Sequence, residues 1–115
     1  MQFDIDRYLS PALTSASRRD YQNTRPMLVA AAKSFLDQGH DAIRCRHRAG
    51  SGGREIVDRV TALTDELLQN LYRLAAAGLP QKNSDACVLL ALGGYGRAQL
   101  NPRSDIDLMF YYCGR

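Results

Sequence analysis

The chain has 115 residues, of which 45% are hydrophobic and 23% are charged, a composition typical of a soluble globular protein and not of a disordered tail. The formal net charge of +3 suits a phosphate-bearing ligand, but it is lower than we expect of a dedicated nucleic-acid-binding protein. The N-terminus lacks the pattern of a secretory signal, and no apolar run approaches the ~20 residues of a membrane span. We therefore expect a cytoplasmic protein with no membrane partner. Cys45, Cys87 and Cys113 form no C-x-x-C pair, which argues against a zinc site or a disulfide framework.

The first predicted element is a helical region that extends over residues 20–77. Pro26 suits the first turn of a helix, and apolar residues then recur at a spacing of three to four as far as Ile43. Gly39 is expected to weaken this helix or to end it. Residues 48–55, RAGSGGRE, provide a flexible connection and a serine able to cap the next helix.

The second predicted helix carries the clearest apolar stripe in the sequence, which we interpret as core packing. Its members are Ile56, Val60, Leu63, Leu67, Leu71 and Leu74. Gly78 followed by Pro80 predicts the end of this helix. The sequence thus predicts a helical N-terminal region over residues 1–80.

After Pro80 the hydrophobic pattern changes from helical to extended. ACVLLAL, residues 86–92, is a short apolar run that predicts a buried strand. Gly93, Gly94 and Gly96 follow, and they permit backbone conformations that a side chain would prevent. We expect a short helix or turn over YGRAQL and then a second strand over SDIDLMFYY.

The second predicted strand contains two carboxylates in an otherwise apolar run. Alternate side chains of a strand share a face, so one face is expected to be apolar and to lie in a core. That face comprises Ile106, Leu108, Phe110 and Tyr112, and the other comprises Asp105, Asp107, Met109 and Tyr111. Two carboxylates on one strand repel each other and cost desolvation, so we expect a compensating cation, for which Mg²⁺ is the natural candidate. The sequence predicts Asp105 and Asp107 as the metal-binding and catalytic residues.

The glycine turn predicts an anion site for the phosphates of a nucleotide. Backbone N–H groups after a strand suit phosphate, Ser104 could add a hydroxyl donor, and Arg97 and Arg103 are candidate phosphate partners. A Gly-Gly pair or an Asp-x-Asp is weak on its own. The order strand, Gly-Gly, short helix and Ser-Asp-x-Asp, with 11 positions from Gly94 to Asp105, is much more specific.

The segment LGGYGRAQLNPRSDIDLMF resembles the nucleotidyltransferase motif of the bacterial protein-PII uridylyltransferase/uridylyl-removing family of nitrogen regulation. AGSGGREIVDRVTALTDELLQNLY is similar to the helical stretch that precedes this motif. The resemblance implies an α+β chain, with a helical segment followed over residues 81–115 by the beginning of a polymerase-beta-like nucleotidyltransferase domain. It implies that Gly93 and Gly94 contact the triphosphate and that Asp105 and Asp107 bind the metals. Ala98 and Gln99 stand where the family more often has glycine and glutamate.

By the same resemblance, the reaction transfers UMP from UTP to a tyrosine hydroxyl of the PII signalling protein and releases pyrophosphate. A metal on the two aspartates would favour the ionised tyrosine, while a second metal would neutralise the triphosphate. The family also uses a third carboxylate from a later strand, a phosphohydrolase module and glutamine-sensing modules, which we do not recognise in this sequence. We therefore expect a fragment of a longer enzyme, inactive by itself.

Three alternatives stay open at this point. Glutamine-synthetase adenylyltransferase shares a G-x-x-G…SD-x-D core, which leaves the choice between UTP and ATP undecided. The chain could instead be a non-catalytic, helical protein-binding fragment. Residues 44–54, RCRHRAGSGGR, could form a nucleic-acid-binding patch, although no aromatic side chains accompany it. We expect neither His40 nor His47 to bind a metal or to act in catalysis.

Overall fold

The structure, a computed structural model, describes residues 18–77 and 87–113. Along the chain it contains helix α1 (Arg18–Arg48), helix α2 (Gly53–Ala77), strand β1 (Cys87–Ala91), the short helix α3 (Gly93–Gly96) and strand β2 (Leu108–Tyr112). The two strands pair antiparallel in one sheet. The predicted α+β class is therefore confirmed at this level. The domain boundary predicted at residue 80 lies outside the described residues.

Helix α1 begins earlier than its sequence predicts. The helix starts at Arg18, so Pro26 lies in its interior and not in its first turn. An interior proline removes one backbone hydrogen bond. Leu28 and Phe35, which follow Pro26, are both buried, and their packing offsets the lost bond.

Gly39 does not end α1, because the helix continues through it as far as Arg48. Gly39 is buried. A Cβ atom at this position would lie 2.4 Å from Cδ1 and 2.6 Å from Cδ2 of Leu63. The Leu63 side chain of α2 thus packs directly against the backbone of α1 at Gly39. This close packing compensates for the low helix propensity of glycine.

The connection between the two helices is confirmed at the predicted place. Gly50 has φ +102°, its N–H donates to the carbonyl of His47 at 3.0 Å, and the N–H of Ser51 donates to the carbonyl of Arg46 at 3.1 Å. These two bonds form a Schellman motif, which ends α1 at a left-handed glycine.

At the beginning of α2, hydrogen bonds to the Glu55 carboxyl lower its pKa below the ordinary value of 4.5. The bond from Arg59 has the larger effect and the bond from Ser51 the next.

The core lies between α1 and α2, and the predicted apolar stripe of α2 is confirmed as part of it. The buried members of the stripe are Ile56, Val60, Leu63 and Leu67, while Leu71 and Leu74 are partly buried at its edge. Helix α1 contributes Leu28, Phe35 and Ile43. Each fully buried aliphatic side chain stabilises the fold by about 1.5–3 kcal/mol. Gly78 and Pro80 lie outside the described residues, and α2 ends at Ala77.

The two strands have the predicted order, but their predicted burial is wrong. Leu89 pairs with Phe110 and Leu90 with Met109 in the antiparallel register. Val88 and Leu90 of β1 are exposed, and so is the apolar face of β2 that we expected in a core, with Phe110 66% and Tyr112 70% exposed. In β1 only Cys87 and Leu89 are partly buried. Alternation predicts which side chains share a face of a strand, but it does not predict what covers that face.

None of the helices in the described part of the chain is long and apolar enough to span a membrane.

The contact between Gly39 and Leu63 predicts a change of sign in a double-mutant cycle. Gly39→Ala should destabilise the protein by about 1 kcal/mol, because crowding of Leu63 outweighs the gain in helix propensity. In a Leu63→Ala background the same substitution should stabilise by about 1 kcal/mol, because the new methyl group enters vacated space. Urea unfolding followed by circular dichroism measures all four proteins, with an osmolyte added where the background is too unstable. Equal effects in both backgrounds would contradict the packing described here.

Candidate functional site

The segment after β1 depends on two glycines for its shape. Leu92 is extended, and Gly93 then turns the backbone with φ +58°. A Cβ atom at Gly93 would lie 3.0 Å from Oδ2 of Asp107, and one at Gly96 would lie 2.6 Å from the carbonyl oxygen of Ala91. Gly93 therefore provides both a left-handed conformation and room for the Asp107 carboxylate.

Residues 93–100, which we call the glycine loop, are closed by their own backbone hydrogen bonds. The N–H groups of Gly96 and Arg97 donate to the carbonyls of Leu92 and Gly93 at 2.8 and 3.2 Å. The N–H groups of Ala98 and Gln99 donate to the carbonyls of Tyr95 and Gly94, both at 2.9 Å. The turn predicted over residues 95–100 is thus confirmed, while the short helix, Gly93–Gly96, begins two residues before the predicted segment. Ala98 has φ +57°, a conformation that glycine adopts at lower cost, which gives a physical reason for a glycine at this position.

The glycine loop is attached to α2 by buried side chains and hydrogen bonds. Tyr95 and Leu100 are 7% and 2% exposed. The Tyr95 hydroxyl donates to Oδ1 of Asp65, and the N–H of Leu100 donates to Oγ1 of Thr61 at 3.1 Å. Further along α2, the hydroxyl of Tyr72 donates to the carbonyl of Cys87 at the beginning of β1. Helix α2 therefore holds both the loop and the strand that leads into it.

These contacts of α2 were not predicted from the sequence. None of their side chains, Thr61, Asp65, Tyr72 and Tyr95, is among the predicted site residues. The available signal was the spacing of four between Thr61 and Asp65, which puts both side chains on one helix face. Nothing in that spacing identifies a partner 30 or 39 positions further along the chain.

Tyr95 is held in its protonated form. Burial is the first cause, and the hydrogen bond to Asp65 and the charge of that carboxylate are the next, so that the pKa of the Tyr95 hydroxyl lies well above its ordinary value of 10.0. The hydroxyl is therefore a hydrogen-bond donor throughout the neutral range.

One cleft gathers most of the predicted site. It has a volume of about 1030 Å³. Six of the seven residues predicted to bind metal or phosphate line it: Gly94, Arg97, Arg103, Ser104, Asp105 and Asp107. Gly93, the seventh, lies against the Asp107 carboxylate. The lining also includes residues at the beginning of α2 that were not predicted to belong to the site, namely Gly53, Arg54, Val57 and Asp58.

The two aspartates lie before β2 and are exposed, so our expectation that they lie on the strand and lose their solvation is wrong. Strand β2 begins at Leu108, and both Asp105 and Asp107 are open to solvent. The carbonyl of Asp107 accepts the N–H of Leu92 at 2.9 Å, which fixes the backbone there next to the end of the sheet. Because the carboxylates are exposed to solvent, they do not have the desolvation cost from which we expected a compensating cation.

The donor set of the cleft fits Mg²⁺ in its chemistry. Mg²⁺ prefers hard oxygen ligands and is commonly bound by one or two carboxylates, with water and substrate phosphates completing the shell. Asp105 and Asp107 provide two carboxylates in a solvent-accessible cleft. In residues 18–77 and 87–113, no group of three or more His, Cys, Asp or Glu side chains is arranged to hold a metal ion.

Comparison with known proteins relates the chain to a class of nucleotide-transferring enzymes, the uridylyltransferases. An alignment of 90 residues with a protein of Azospirillum brasilense shows 34% identity and covers 75% of this chain and 10% of the relative. An alignment of 81 residues with a protein of Pseudomonas putida shows 35% identity and covers 70% of this chain and 9% of the relative. A protein of Erythrobacter litoralis is 28% identical over 118 aligned positions, which cover 95% of this chain and 12% of the relative.

All three relatives are named bifunctional uridylyltransferase/uridylyl-removing enzyme, and this confirms the resemblance drawn from the glycine and aspartate motif. The chain spans about a tenth of the length of the curated relatives it matches, 9 to 12%. No family model matches the chain. No solved structure matches it.

The left-handed conformation of Ala98 predicts that glycine is the better residue there. Ala98→Gly should stabilise the protein by about 0.5–1 kcal/mol, because relief of the strained φ exceeds the added entropy of the unfolded chain. Ala62→Gly, the same change at an exposed position inside α2, should destabilise by about 1 kcal/mol. Urea unfolding measures both variants. A stability loss in Ala98→Gly would refute the assigned conformation.

The environment of Tyr95 predicts that its hydroxyl titrates above the ordinary tyrosine pKa of 10.0. Because its folded-state pKa is raised, the protonated hydroxyl contributes stability that is fully present below pH 10, the ordinary tyrosine value. This stability is lost as the pH rises above 10. Ultraviolet absorption of tyrosinate in the wild type and in Tyr95→Phe should show that the substitution removes a tyrosine that ionises above pH 10, the ordinary tyrosine value. Removal of an early-titrating group would show that Tyr95 is open to water.

Proposed function

We propose that the chain forms the nucleotide-binding part of a uridylyltransferase that transfers UMP from UTP to a tyrosine hydroxyl of the PII signalling protein. The observation that carries this proposal is the cleft, which brings Gly94, Arg97, Ser104, Asp105 and Asp107 together although they are spread over 14 positions of the sequence. The names of the relatives supply the reaction class. The PII protein and the metal follow from the family resemblance and are part of the proposal.

Asp105 and Asp107 would hold Mg²⁺, which supplies charge neutralisation at the triphosphate and a lowered pKa for the attacking hydroxyl. The chain positions these carboxylates through its backbone. The hydrogen bond from Leu92 to the Asp107 carbonyl fixes one of them, and Gly93 leaves space for its side chain. Arg97 and Arg103 offset the charge of the phosphates, and the Ser104 hydroxyl donates to a phosphate oxygen.

The charges of the cleft support metal-dependent binding. Its lining contains three arginines and three aspartates, so their formal charges cancel: Arg54, Arg97 and Arg103 against Asp58, Asp105 and Asp107. A triphosphate brings several negative charges into this neutral cleft. Mg²⁺ that enters with the nucleotide offsets part of this negative charge, and the aspartates, which would repel the free nucleotide, then bind the metal ion of the complex.

This proposal predicts that the chain binds UTP only with Mg²⁺, and that Asp105→Asn and Asp107→Asn each weaken binding by about tenfold or more. An amide keeps the shape of the carboxylate but loses the charge that binds the metal. Isothermal titration with UTP and Mg²⁺ measures the affinity, and titration with excess chelator provides the metal-free reference. Asp37→Asn, at an exposed position of α1 outside the cleft, is the matched control and should bind as the wild type does.

Equal affinity of the wild type and both cleft variants would refute the metal assignment. Tighter binding of ATP than of UTP would favour an adenylyltransferase, and no nucleotide binding at all would favour a protein-binding fragment. Transfer is tested in a chimera in which residues 25–112 replace the corresponding segment of the Azospirillum brasilense relative. With labelled UTP and PII protein, the chimera should label PII, and the chimera with Asp105→Asn should not.

A further inference from the structure

We propose that Thr61 and Asp65 of α2 are positioning residues, which hold the glycine loop in the shape that the nucleotide requires without contacting the nucleotide. This inference rests on the proposed function for its consequence, but its structural part is independently testable. Neither residue lines the cleft. Both contact residues of the loop that forms part of its wall.

The two contacts fix the loop near both of its ends. Asp65 accepts the hydroxyl of Tyr95, the third residue of the loop, and Thr61 accepts the N–H of Leu100, its last residue. Thr61 and Asp65 are one helical turn apart, about 6 Å along the axis of α2. A rigid helix thus sets the separation between the two attachment points.

Burial makes both attachments specific. Leu100 is 2% exposed and Thr61 is 6% exposed, so water does not readily replace the Thr61 oxygen as acceptor for the Leu100 N–H. The Thr61 hydroxyl also donates to the carbonyl of Val57 at 2.9 Å, which directs its hydrogen away from Leu100 and leaves an oxygen lone pair for that N–H.

The loop transmits this placement to the proposed metal site. Gly93 lies against the Asp107 carboxylate, and the carbonyls of Gly93 and Gly94 accept the N–H groups of Arg97 and Gln99 within the same loop. A shift of the loop therefore moves Gly93 against Asp107 and moves Gly94 and Arg97 in the cleft wall. Small displacements of groups that position a substrate have large effects on binding and rate.

Helix α2 offers a matched control for this inference. Thr64 is also buried, and its hydroxyl also donates to a carbonyl one turn back, that of Val60 at 2.9 Å. Thr61 alone of the two accepts a hydrogen bond from the glycine loop. Thr61→Val and Thr64→Val thus remove the same group from the same helix, and only the first removes a contact to the loop.

The experiment compares the 115-residue wild type with Thr61→Val, Thr64→Val and Thr61→Ser by hydrogen exchange and by titration with Mg²⁺ and UTP. We expect Thr61→Val to speed amide exchange in residues 93–100 and to weaken UTP binding about tenfold. Thr64→Val should leave both measurements close to the wild type. Thr61→Ser keeps the hydroxyl and should also match the wild type in both. Asp65→Ala should resemble Thr61→Val, whereas Asp65→Asn keeps an acceptor oxygen for Tyr95 and should retain loop protection.

The outcomes separate this inference from the proposed function. If the wild type binds no UTP in the presence of Mg²⁺, the proposed function fails, and hydrogen exchange alone decides whether Thr61 positions the loop. Equal loop exchange in Thr61→Val and Thr64→Val overturns the inference in either case. Faster loop exchange with unchanged UTP affinity overturns its functional part, because the loop shape would then not matter for the nucleotide.

Discussion

The placement of the candidate site depends on the buried contact between Tyr95 and α2. The neighbouring glycines shape the loop, but they have no side chains with which to attach it to the rest of the protein. Tyr95 provides that attachment, since it combines an apolar ring with a hydroxyl that donates to Asp65. A buried hydroxyl needs a partner, and the aromatic ring needs an apolar surface, so few positions of the loop satisfy both.

Helix α2 serves two sets of contacts, which explains why a helical region far from the motif belongs to the site. One set is apolar and packs on α1, where the Leu63 side chain lies against the backbone of Gly39. The other set is polar and contacts the glycine loop through Thr61 and Asp65. The packing of the helix pair therefore determines where the loop lies, and through the loop it determines the surroundings of Asp107.

The sequence predicts the local features of this structure better than its long-range contacts. The stripe of α2 and the turn at Gly93 follow from periodicity and from backbone sterics, which act over a few residues. Pro26 was predicted to lie in the first turn of α1, and Gly39 was predicted to weaken or end that helix. Both lie inside α1, because packing against another helix outweighs local propensity. The predicted residues that line the cleft follow from their order in the chain, whereas the bond between Asp65 and Tyr95 joins positions that no local pattern relates.

The exposed sheet and the ordered cleft are compatible, because different contacts support them. The apolar side chains of Phe110 and Tyr112 remain open to solvent, yet the backbone at Asp107 is fixed by its bond to Leu92, and the loop beside it is fixed by α2. The geometry of the cleft thus requires the hydrogen bond between Leu92 and Asp107 and the contacts of the loop with α2. It does not require burial of the sheet faces. Since the charges that line this cleft cancel, a cation held by the carboxylates would leave the arginines unopposed, and the cleft would then attract an anionic ligand.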